Sequence, residues 1–207
     1  MIKQVCVILA SLAMLAPGCG GGPGGPTPVP ISDSIFSFED DFEGWTTNAT
    51  DVGGPGSAVD DWSISRSQDQ ARDGTTSVKL FLANDNDEGK IWIERPFPVQ
   101  PNSRYHVQVQ YAFASEDWGD VNFWGLIAGV LPERPQTAED LSPAFQGDTS
   151  NGNHLAPTGF VWLDKSYTFT VQSDASATLH VVIGIWGTYE VTRTYYVDGV
   201  HVTIDEI

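Results

Sequence analysis

The chain has 207 residues, with 27 acidic against 10 basic side chains and a net charge of −17. That balance disfavours nucleic acid and bare anionic lipid as partners, because both need a positive footprint. It suits divalent cations and neutral or cationic ligands.

The N-terminus reads as an export signal. Lys3 precedes a nearly unbroken apolar run over residues 5–16. The run is too short to span roughly 30 Å of hydrocarbon but has the length of a signal h-region. It ends in Leu15-Ala16-Pro17-Gly18-Cys19, which resembles the lipobox of bacterial lipoproteins. There, small residues before a cysteine admit the signal peptidase and the thiol receives a diacylglycerol. Ala16 and Pro17 depart from the residues that family prefers, and an ordinary secretory signal cleaved nearby is the other reading. Both readings place the remainder outside the cytoplasm. The resemblance implies a lipoprotein signal over residues 1–19, lipidation of Cys19, and membrane contact through that anchor only. Gly20 rather than Asp after the cysteine resembles outer-membrane sorting in a cell with two membranes.

Residues 20–33 follow as a tether. The stretch GGGPGGPTPVP buries no apolar surface: its Gly part is a flexible coil and its Pro part is extended. Cys6 and Cys19 are the only cysteines, so residues 34–207 must fold without disulfides or thiolate chemistry. About 175 residues suffice for one domain that buries its core unaided.

From Ile35 onward the apolar period is two. Over residues 104–114, Tyr105, Val107, Val109, Tyr111 and Phe113 share one face, while His106, Gln108 and Gln110 share the other. That alternation of aromatic and β-branched residues predicts a half-buried strand. Similar runs cover residues 35–38, 62–66, 77–82, 90–97, 122–130, 159–163, 167–172, 178–186 and 194–204. Turn-rich separators lie at Asp73-Gly74, residues 84–89, Pro101-Asn102 and Gly187-Thr188. Nine or ten strands without an extended helix predict an all-β antiparallel sandwich. Residues 131–157 form an unusually long connection, within which residues 139–142 suit a single helical turn.

No catalytic constellation stands out. The four histidines are scattered without zinc spacing, and no G-x-S-x-G elbow or phosphate-binding glycine loop occurs. The chain is therefore read as non-catalytic, with a glycoside hydrolase or polysaccharide lyase that draws two carboxylates from distant strands as the alternative. Seven tryptophans are the richer signal, since exposed indoles stack on the C–H faces of sugars. Trp45, Trp62 and Trp92 suit a sandwich core. Along residues 178–186, Leu179, Val181, Ile183 and Ile185 form a core stripe, which leaves His180 and Trp186 on the opposite face. A glycan platform of Trp124, Trp186 and His180, with Gln108 and Gln110 as hydroxyl partners, is one expectation. Burial of these indoles under the long connection is the other.

Phe38-Glu39-Asp40-Asp41-Phe42-Glu43-Gly44-Trp45 opens the domain and Tyr195-Tyr196-Val197-Asp198-Gly199-Val200 closes it. Between them lies Gly74-Thr75-Thr76-Ser77-Val78-Lys79-Leu80. In order and spacing these segments resemble the galactose-binding-like jelly rolls, which include many carbohydrate-binding modules. The resemblance spans residues 36–204 and implies a jelly-roll topology with the first and last strands adjacent. It also implies a structural calcium between them, held by Glu39, Asp198, the main-chain carbonyl of Lys79 and Asp40. Calcium takes six to eight oxygens, so further carbonyls would have to join. The functional expectation is a carbohydrate-binding domain on the cell envelope. A lone module on a tether also fits an envelope or adhesion module with a protein or matrix partner. The lipoprotein reading predicts that the expressed protein partitions into detergent and labels with palmitate, and that Cys19→Ala abolishes both. A wild-type protein released without lipid label would contradict it.

Overall fold

The computed structural model describes residues 32–53, 61–83, 88–115, 124–141, 160, 162–187 and 192–207. The signal, Cys19, nearly all of the expected tether, Trp118, residues 84–87 and most of the long connection lie outside the described residues. So do the side chain of Trp124 and residue 159.

Ten strands and one helical turn make up the described chain. They are β1 (Ser32–Phe36), β2 (Thr46–Thr50), β3 (Trp62–Ser67), β4 (Ser77–Ala83), β5 (Lys90–Pro98), β6 (Arg104–Ser115) and β7 (Trp124–Leu131). There follow α1 (Ala138–Leu141), β8 (Leu163–Gln172), β9 (Thr178–Gly187) and β10 (Thr192–Glu206). One sheet runs β3-β4-β10-β6-β8, with β1 beside β10, and the other runs β2-β5-β9-β7. The strand pairings described are antiparallel. The expected all-β jelly-roll sandwich, with its first and last strands adjacent, is the observed architecture.

Period-two patterning explains the sandwich. Tyr105, Val107, Val109, Tyr111 and Phe113 of β6 face Leu179, Val181, Ile183 and Ile185 of β9, and all lie in one buried cluster. Trp45 closes one end of it, edge-on to Phe36 with ring centroids 5.4 Å apart. At about 25 cal/mol per Å² of apolar surface, burial of these side chains dominates the stability of a domain without disulfides.

Three details depart from the sequence expectations. β1 starts at Ser32, inside the stretch expected to be tether. β2, of sequence TTNAT, was not foreseen: it is polar, shows no alternation, and pairs along β5 at the sheet edge. The run at 167–172 belongs to a longer strand that begins at Leu163. The helical turn anticipated near residue 139 is α1.

Gly184 of β9 is required sterically. A Cβ there would lie 2.2 Å from the carbonyl oxygen of Ile91 and 2.5 Å from Cβ of Trp92. Both contacts belong to the neighbouring strand, so β5 and β9 would have to separate. Gly184→Ala is expected to cost about 3 kcal/mol and, at roughly 2–4 °C per kcal/mol for a domain of this size, to lower Tm by about 10 °C. An unchanged thermal or denaturant midpoint would show that the strands separate freely.

Candidate functional site

The structure divides the expected platform between the two sheets. Gln108 and Gln110 lie on the outer face of β6, whereas His180 and Trp186 lie on the outer face of β9 in the other sheet. The packed core separates them, so these four residues do not form one surface. Gln108 donates to Ser166 at 3.5 Å. Gln110 lines a cavity of about 340 Å³ with Arg72, Asp164, Lys165, Ser166 and Gly199. At Trp124 the backbone register pairs position 124 with Gly187, while Gly125 pairs with Trp186. Position 124 therefore falls on the alternate row to Trp186.

His180 and Trp186 do share a face, on a sheet whose rows follow from register. Lys90, Trp186 and Gly125 form one row. Asn48, Trp92, Gly184 and Ile127 form the next, then Thr46, Glu94, Val182 and Gly129, and finally Pro96, His180 and Leu131. Six residues along β5 separate the first row from the last, about 20 Å at 3.3 Å per residue.

The middle rows are covered. Chain leaving β7 at Leu131 crosses the sheet as a strap and returns through α1. Leu131 and Leu141 seal Trp92, Ile127 and Val182 into a second buried cluster. Arg134 of the strap forms an ion pair with Glu94, and the carbonyl of Pro135 accepts from Nδ2 of Asn48 at 3.2 Å. Trp92, expected in the sandwich core, is thus fully buried on the outer face instead. Its indole N–H donates to Oε2 of Glu94 at 2.8 Å.

Two places remain open on either side of the strap. At one, Trp186 is 43% exposed, the one exposed indole among the described tryptophan side chains. The ammonium of Lys90 lies 4.8 Å from its ring centroid while donating to Asp51 at 2.9 Å. At the other, Glu94, Arg134, His180, Thr46, Pro96 and Gly44 line a pocket of about 270 Å³. Glu94 is 1% exposed there, and its two oxygens are shared between Arg134 and Trp92. Nδ1 of His180 is buried and has no hydrogen-bond partner. Burial holds the imidazole below its ordinary pKa, partly offset by the charge of Glu94. Neither Glu94 nor Arg134 was singled out in the sequence, and nothing local marks a pair 40 residues apart.

The residues expected to hold calcium are only partly brought together. Phe38, in the left-handed region at φ 59° with its ring buried, is fixed where Arg66 donates to its carbonyl at 2.7 Å. The next residue, Glu39, accepts from the N–H groups of Thr75 and Thr76, both at 3.0 Å, and from the Thr75 hydroxyl at 2.8 Å. Asp198, 1% exposed, accepts from the N–H groups of Arg72 at 2.8 Å, Asp73 at 3.1 Å and Gly199 at 2.7 Å. Two carboxylates therefore clamp one turn, residues 72–76. Gly74 belongs in that turn, since its φ is 65° and a Cβ would lie 2.3 Å from Oε1 of Glu39.

The other two expected ligands do not join the clamp. Asp40 is exposed, and Lys79 sits within β4 between Ser65 and Tyr196, its backbone in the ladder and its ammonium 2.6 Å from Asp69. Among the described residues no group of three or more acidic, histidine or cysteine side chains is arranged to hold a metal ion. Backbone N–H groups face these carboxylates while Asp40 and Lys79 lie apart from them, so the expected ligand set does not fit the observed arrangement.

The hydrogen bonds from Thr75 and Thr76 hold the Glu39 carboxyl below its ordinary pKa. Burial pushes Asp198 up, against the pull of its three N–H donors. The signs are opposite. Glu39 favours the fold above its unfolded pKa and loses this as pH falls through its lowered value; Asp198 does so below its unfolded pKa and loses it as pH rises through its raised one. A clamp closed by N–H donors predicts the same Tm in EDTA and in millimolar calcium. It also predicts that Asp198→Asn, which sets an amide NH₂ against N–H donors, costs about 1–3 kcal/mol. A calcium-dependent rise in Tm that Asp198→Ala removes would instead restore the metal.

No family model matches the chain, and no curated protein matches it. Solved structures do. The K1 cleaved adhesin domain of Lys-gingipain from Porphyromonas gingivalis W83 is similar at a TM-score of 0.50 and 11% identity, over 83% of this chain and 97% of that one. The CBM22-1 xylan-binding domain from Paenibacillus barcinonensis Xyn10C is similar at 0.46 and 15%, over 87% and 97%. TmCBM61 in complex with β-1,4-galactotriose is similar at 0.39 and 9%, over 80% and 92%. At these identities the likeness is one of fold alone: the chain is an antiparallel jelly-roll sandwich, as its own two sheets show.

Proposed function

We propose that this is a non-catalytic, extracytoplasmic domain that binds carbohydrate on the outer face of the β2-β5-β9-β7 sheet. The observation that carries the reading is Trp186. It is a large aromatic left 43% exposed on a strand face, while the other described tryptophans are buried or half-buried. Leaving such a side chain partly in water forgoes roughly half of the 1.5–3 kcal/mol that full burial gives, which a stacked ligand would recover. Gly125 beside it carries no side chain; even a Cβ there would lie 3.6 Å from Cβ of Trp186, in ordinary contact. Lys90, across the ring, donates to Asp51 and to the carbonyl of Glu88, which leaves one N–H beside the indole. The strong negative charge favours a neutral glycan over an acidic one.

Glu94, the one fully buried carboxylate of this face, is tied to Arg134 and to the Trp92 indole. It therefore serves to shape the face. The N-terminal signal and tether support placement on the envelope, with Cys19 as the lipid attachment point.

Trp186→Ala should lower affinity for a bound neutral polysaccharide at least about tenfold, or about 1.4 kcal/mol, and abolish its quenching of tryptophan fluorescence. Tm should change little, because this indole is not in the core. Retention unaffected by the substitution would move the site elsewhere. No binding across a glycan array would favour a protein or matrix partner, and release of reducing sugar would reinstate an enzyme.

A further inference from the structure

We propose that the pocket formed by Glu94, Arg134 and His180 holds the terminal unit of a neutral glycan, so that this end of the sheet recognises a chain end rather than a chain interior. The inference rests on the carbohydrate reading above but concerns a place separate from Trp186. Its first support is an unmet bond. Nδ1 of His180 is buried without a partner in a pocket already lined by a buried carboxylate and a guanidinium. A buried polar atom left unpaired costs about 1–3 kcal/mol, and rotation of the imidazole towards the pocket would let a ligand hydroxyl meet that need.

The remaining capacity of the pocket suits vicinal hydroxyls. Glu94, 1% exposed, has one bond on each oxygen, towards Arg134 and Trp92, and so fixes the guanidinium that meets the ligand. Arg134 uses Nε on Glu94, and its side chain is half exposed. The half-exposed guanidinium thus supplies hydrogen-bond donors within a lining that is otherwise mostly apolar. The charges of Glu94 and Arg134 cancel, and the lowered pKa of His180 keeps it uncharged at neutral pH. Pro96 and Gly44 add apolar surface beside them.

Size and enclosure set the class of ligand. About 270 Å³ lies just below the usual range of about 300–1,000 Å³ for ligand sites, room for one sugar ring. The strap then closes the route towards Trp186. It starts opposite His180, reaches Glu94 through Arg134 and Asn48 through Pro135, and returns over Trp92 by way of Leu141. A polysaccharide lying along the strands would collide with it, whereas a chain end would fill the pocket and stop.

The test titrates methyl glycosides of glucose, galactose, mannose and xylose, and then longer oligosaccharides of any that bind. The imidazole signals of His180 are followed by NMR. At least one glycoside should move those signals, and affinity should level off by the disaccharide. Arg134→Met and His180→Asn, each first shown to melt cooperatively, should both weaken binding at least tenfold. Affinity that climbs with every unit to a hexasaccharide, or that ignores both substitutions, would overturn the proposal. Should a polysaccharide bind through Trp186 while no glycoside moves His180, the pocket fails and the broader reading stands. Should no glycan bind anywhere, both fail together.

Discussion

A strand of fifteen residues, β10, has to satisfy more neighbours than one straight ribbon can. Along one edge it pairs first with β4 and then with β1, and along the other it pairs with β6 from Tyr195 to Glu206, with a break after Asp198. The change of partner falls where the register to β6 shifts, between Asp198 and His201, with Gly199 in the left-handed region at φ 56°. A bulge here bends the strand and re-aims one side chain. That side chain is Asp198, which is buried and binds the turn leading into β4. Core alternation resumes at Val200, Val202 and Ile204 on the far side of the bulge. One irregularity thus closes the larger sheet and ties the two ends of the domain together through Glu39.

With the larger sheet closed by this strand, the two outer faces diverge. On the larger sheet, β6 and β8 present short polar residues, among them Gln108, Gln110 and Ser166. On the smaller sheet an apolar outer row would lie in water without a cover. The strap supplies one, and Leu131 and Leu141 convert Trp92, Ile127 and Val182 into a second core. Among the described residues the cover reaches only the middle of the sheet, which leaves an exposed indole at one end and a small pocket at the other. Both functional proposals follow from that incomplete cover.

Much of this was legible in the sequence because a half-buried strand repeats every two residues. β3, β4, β5, β6, β9 and β10 stand within a few residues of where alternation places them. β2 was not legible, since Thr46 to Thr50 carry no apolar alternation and pair only along the edge. Alternation also tells which side of a strand meets the core, but not which sheet the strand joins. Gln108 and Trp186 both point outward, as read, yet from opposite sheets. Glu94 occupies an outward position that the pattern assigns to solvent, and only the strap, 40 residues later, buries it. The family resemblance grouped Glu39 and Asp198 as ligands of one calcium, not as the two clamps of one turn. Their hydrogen bonds to Thr75, Thr76, Arg72 and Asp73 did not follow from it.

The central claim is that ligand engages the strapped sheet and not its opposite. Hydrogen exchange measured with and without a bound neutral polysaccharide tests it most directly, because each strand reports separately. The account predicts slower exchange in β5, in β9 and in the strap through Arg134, with β6 and β8 unchanged. Protection centred on β6 and β8, around Gln108, Gln110 and Ser166, would contradict it.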